Sequence, residues 1–63
     1  MTEFVARFRV TSHPNTLAIL EDYAGPAVAV QDGIATFAFP SEAERERIVR
    51  NVWALEHLRP ISN

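Results

Sequence analysis

The residues to weigh first for chemistry are His13 and His57, because imidazole binds metals and moves protons near neutral pH. Neither stands in an H-x-x-x-H or H-x-x-E spacing that would set two ligands on one helical face, and the chain has no cysteine to supply a thiolate. No metal and no cofactor are therefore expected. Ser12, Ser41 and Ser62 are the available serines; none has histidine and acid beside it in a nucleophile motif, and the first two fit helix caps. With Gly25 and Gly33 as the only glycines, no glycine-rich loop can cradle a phosphate. The chain offers no catalytic residue and reads as a non-enzyme.

The remaining constellation is acidic. Glu42, Glu44 and Glu46 open one helical segment, and Glu21 with Asp22 closes another. Carboxylates in a first helical turn complement the helix dipole, and Glu46 can pair with Arg50 four residues on. The same groups can present a negative surface to a basic, nucleic-acid-binding protein, although Arg45, Arg47 and Arg50 interleave with three of them. Glu21, Asp22, Glu42, Glu44 and Glu46 are thus the candidate partner-binding residues. Trp53 and Tyr23 are the aromatic anchors to consider if they reach the surface.

These groups must be positioned by a very small body. Sixty-three residues make one domain, 1–63, and a chain of this size buries only about 60% of the surface its unfolded form exposes. Without cysteine it has no disulfide to help, so a compact apolar core must suffice. Six arginines against eight acids give a formal charge of −2, which offers no general attraction to phosphate backbones. There is no apolar run of the roughly eighteen residues a membrane span needs, and MTEFVARFRV alternates instead of forming a signal sequence. A cytoplasmic, stand-alone protein is expected.

Alternation over Glu3–Val10 predicts a first strand with Phe4, Ala6, Phe8 and Val10 on its buried face. A helix follows, capped by Ser12 with Pro14 in its first turn, and Leu17, Leu20, Tyr23, Ala24 and Ile19 form its apolar arc. Gly25-Pro26 ends it. AVAVQDGIATFAF then reads as a hairpin about a type I′ Asp32-Gly33 turn, which pairs Gln31 with Ile34, Val30 with Ala35 and Val28 with Phe37. Val28, Val30, Ala35, Phe37 and Phe39 share the core face; Ala27, Ala29, Gln31, Ile34, Thr36 and Ala38 share the other. Ser41-x-x-Glu44 is a capping box for a second helix with Ile48, Val52, Leu55 and Leu58 along its apolar centre, ended by Arg59-Pro60.

The order β-α-β-β-α predicts an α+β fold: a three-stranded antiparallel sheet, order 2-3-1, with both helices on one face. This topology resembles a ferredoxin-like fold lacking its last strand. ATFAF followed by PSEAERERI also looks like part of the RNA recognition motif, but the hairpin register places Phe37 and Phe39 in the core, and that family's glycine and basic residue before the aromatics are absent. Direct nucleic-acid binding is not expected.

In size, acidic character and lack of catalytic groups, the chain is similar to anti-CRISPR proteins, the small inhibitors that phages and mobile elements encode. That resemblance implies a DNA-mimicking inhibitor in a bacterial cytoplasm, blocking a CRISPR effector by setting its carboxylates against the cations that hold DNA. The alternative is a ferredoxin-like regulatory or structural module that self-associates. It would use the edge strand Ala27–Gln31 or the open sheet face of Val5, Ala27, Ala29, Ile34, Thr36 and Ala38. A monomer or weak homodimer fits the two readings between them.

Overall fold

Strand β1 covers Phe4–Arg9, helix α1 Thr16–Ala24, β2 Ala29–Gln31, β3 Ile34–Phe39 and helix α2 Glu42–Glu56 in the computed structural model, which describes residues 4–11 and 13–61. The fold is α+β, and the sheet runs β1-β3-β2 with both pairings antiparallel, as the crossover argument requires.

The Asp32-Gly33 turn sets the register. Asp32 and Gly33 have φ of 53° and 75°, both positive as a type I′ turn demands, and Gln31 faces Ile34, Val30 faces Ala35 and Ala29 faces Thr36. Gly33 is needed for a second reason: a Cβ there would meet Thr11 Cγ2 at 2.5 Å. Its carbonyl accepts the Val10 N–H at 2.8 Å, which pins the turn to the end of β1.

Alternation then decides the core. Ala6 and Phe8 of β1 and Ala35, Phe37 and Phe39 of β3 are buried on one face, where they meet Leu20 of α1 and Ile48 and Val52 of α2. Both helices therefore pack on the same side of the sheet. The rings of Phe8 and Phe37 meet edge to face, with centroids 6.1 Å apart.

That core stops short of β2. Val30 lies on the helix side opposite Ala35, but the strand begins at Ala29 and not at Ala27, and the expected Val28–Phe37 pair is outside the ladder. The Val28 N–H donates to the carbonyl of Thr36, the residue already opposite Ala29, at 2.8 Å, which breaks the alternation there. Val28 and Val30 are 63% and 49% exposed. The cause is coverage. Helix α2 packs across β1 and β3, α1 packs against α2, and β2 is held chiefly by β3. At nine residues, α1 is only about 13 Å long and leaves this edge open. Ala27, expected on the open face, instead packs against the core from the segment preceding β2.

Helix termini differ from expectation in instructive ways. Helix α1 begins at Thr16, which is buried, and its N-cap Asn15 makes no side-chain capping bond; the Thr16 N–H reaches back to the His13 carbonyl at 3.3 Å. Pro14 and Asn15 thus form the turn before the helix instead of its first turn. The expected cap, Ser12, lies outside the described residues. At α2, Ser41 Oγ accepts the Glu44 N–H at 3.2 Å. The Glu44 carboxylate goes to Arg47, so only one half of the capping box forms. The helix ends at Glu56, earlier than Arg59-Pro60, because His57 turns left-handed at φ 59° and its N–H closes on the Trp53 carbonyl at 3.0 Å. Leu55, expected in the apolar centre, is 65% exposed in that last turn, and Leu58 packs onto the core from beyond it. The chain then returns along β1, where the Ile61 N–H donates to the Arg7 carbonyl at 2.6 Å.

Candidate interaction surfaces

The five candidate acids divide between two places. Glu42, Glu44 and Glu46 occupy the first turns of α2, while Glu21 and Asp22 belong to the last turn of α1. The Tyr23 hydroxyl donates to Glu56 Oε2 at 3.0 Å, which sets that turn of α1 beside the last turn of α2. Glu42 stands 14 residues before Glu56, about 21 Å of helix.

Their charges are also differently engaged. Glu42 pairs with Arg45 at 3.3 Å, and Glu44 takes Arg47 with both oxygens at 2.8 and 2.9 Å. Both pairs span three residues on the surface of one helix, where such contacts contribute only about 0.3–0.5 kcal/mol. Glu21 Oε2 accepts the Ala27 N–H at 3.3 Å, so it helps secure the loop after α1. Asp22 and Glu46 are exposed and have no ion-pair partner among the described residues; the anticipated Glu46–Arg50 pair does not form. Glu56 holds the Tyr23 phenol above its ordinary pKa of 10.0, first by accepting its proton in a hydrogen bond, then through desolvation and the negative charges of Glu56 and Asp22.

Three other surfaces come into view. The first is the β2 edge with Val28 and Val30. The second is the open sheet face, where Arg7, Ala29, Gln31, Asp32, Ile34 and Thr36 line a shallow depression of about 220 Å³.

The third is a groove of about 450 Å³ along the outer flank of α2, lined by Arg45, Glu46, Val49, Arg50, Trp53, Arg59 and Pro60. Trp53 is 41% exposed there; the Arg59 guanidinium lies 4.4 Å above its ring centroid, and His57 meets it edge to face at 5.4 Å. Sequence reasoning marked Trp53 as an anchor but missed the groove. Arg59 reaches Trp53 only because the chain reverses at His57, and no periodic pattern signals that reversal.

Among the described residues, no three His, Asp or Glu side chains gather closely enough to hold a metal ion, and no helix is long and apolar enough to cross a membrane. Comparison with protein-family models, with curated proteins and with solved structures returned no match.

Proposed function

We propose that this chain works by occupancy: it binds a partner protein and blocks it, without chemistry of its own, in the manner of an anti-CRISPR inhibitor acting in a bacterial cytoplasm. The observation that carries the reading is the β2 edge, where Val28 and Val30 stand exposed and Val30 faces the fully buried Ala35. An uncharged edge strand with exposed apolar side chains suits strand addition: backbone groups supply hydrogen bonds and the valines supply buried area. The proposed partner class is a basic nucleic-acid-binding complex, because the acids would steer such a surface toward this chain. Since Glu42 and Glu44 are tied to arginines, Asp22 and Glu46 carry most of that steering and the edge supplies the hold.

Tagged wild type, the Val28→Asp/Val30→Asp variant, and a variant with all five acids changed to amides would each be used for capture from a bacterial lysate treated with nuclease. Loss of a stoichiometric nucleic-acid-binding partner in the edge variant supports the reading, and slower association with the amide variant supports the steering role. Equal capture by all three overturns both.

The same exposed valines favour a second reading, in which the occupant is another copy of this chain paired β2 to β2. Light scattering across concentration distinguishes them. A mass that doubles in wild type and stays monomeric in the edge variant assigns the edge to self-association.

A further inference from the structure

The groove beside α2 shares no residue with the β2 edge, and its composition calls for a different kind of ligand. We infer that it is a second docking site, which takes an acidic side chain with an apolar neighbour from an extended segment of a protein partner.

Charge is the first reason. Arg45 is tied to Glu42, but Arg50 and Arg59 have no ion-pair partner among the described residues, and Glu46 is the one carboxylate lining the groove. Two unpaired arginines against one acid make a local positive site on a chain whose net charge is −2. Preorganisation is the second reason. Stacked on the Trp53 indole, the Arg59 guanidinium loses little further freedom when it binds, and its in-plane N–H groups present the fork that a carboxylate accepts. Shape is the third. Val49, Trp53 and Pro60 give an apolar wall next to the arginines, enough for one aliphatic or aromatic side chain beside the acid.

A nucleic acid fits less well. Its phosphates, on leaving the groove, would pass Glu46 and the neighbouring acids of α2, and Arg59 already covers one face of the Trp53 ring.

The test uses a displayed library of random heptapeptides selected on the full chain, with Arg50→Gln and Arg59→Gln as comparison baits. Arg50 makes no hydrogen bond or ion pair among the described residues, so its substitution leaves the fold intact, which circular dichroism checks. The expected result is enrichment of Asp or Glu next to an apolar residue. A synthetic winner should bind about tenfold tighter to wild type than to either variant, and about tenfold tighter than its Asn or Gln counterpart. Selection without acidic enrichment, or equal binding to wild type and Arg50→Gln, overturns the proposal. So does displacement of the peptide by a deoxythymidine oligonucleotide at equal concentration, which would assign the groove to nucleic acid. Winners that match the chain's own acidic segments would reassign it to a second copy.

Discussion

Replacing Gly33 by alanine tests the hairpin that organises this fold. Two costs are readable from the structure. A left-handed backbone costs an L-residue about 1–2 kcal/mol, and Gly33 has φ 75°. The new Cβ would also stand 2.5 Å from Thr11 Cγ2, and overpacking of this kind costs about 1–3 kcal/mol. The low end applies, because Thr11 is exposed and its side chain can turn aside. Alanine offsets about 0.4–1 kcal/mol by narrowing the unfolded ensemble. The net loss is about 2 kcal/mol, out of a total of about 3–9 kcal/mol for a chain of this length.

Urea unfolding followed by far-UV circular dichroism should show a lower midpoint with an unchanged slope. In a Thr11→Ala background the same replacement should cost only about 1 kcal/mol, because the backbone term remains while the clash is gone. A loss below about 0.5 kcal/mol in the wild-type background would refute the left-handed turn, and equal losses in both backgrounds would refute the contact with Thr11.

Three further outcomes are expected. Phe37→Ala empties the centre of the core at a cost of about 3–5 kcal/mol, and its urea midpoint by circular dichroism should fall by far more than that of Gly33→Ala. Ile61→Pro removes the hydrogen bond to Arg7 and should lower stability by about 1 kcal/mol in the same urea assay, with the β-sheet signal retained. Tyr23 should titrate above 10.0 by ultraviolet difference absorbance, and Glu56→Ala should bring it back toward that value. Because the folded-state pKa is the higher one, the stability this pair adds is fully present below pH 10.0 and is lost as pH rises through the folded-state pKa.

The hairpin and core were legible because their causes are local. Asp32-Gly33 dictates a turn with two positive φ angles, the turn dictates which residues face each other, and alternation in Ile34–Phe39 then chooses the buried face. Ser41 before Glu44 announced its helix in the same way. Val30 shows where such reasoning stops, and Val28, just outside the ladder, shows that alternation itself breaks where a strand ends. Alternation tells which side of a sheet a residue occupies, whereas cover depends on the length and placement of helices that periodicity does not measure. Leu55 fails for a related reason, since a position on the apolar arc is buried only where the helix still lies over the sheet. The candidate acids were legible as residues but their partners were not. Rotamer and spacing gave Glu42 and Glu44 to arginines three residues on, and left Glu46 without Arg50.

The Ile61 hydrogen bond to Arg7 makes the two margins of the sheet unequal. Ile61 takes one outward carbonyl of β1, that of Arg7, while among the described residues no segment pairs beyond β2. Of the two margins, β2 is the more open to strand pairing. When two copies meet there, β2 to β2, each covers the other's open edge and the union is two-fold. A sheet with both margins bare would instead lengthen without limit into a fibre. One amide beside β1 thus biases any pairing of sheets toward the opposite edge.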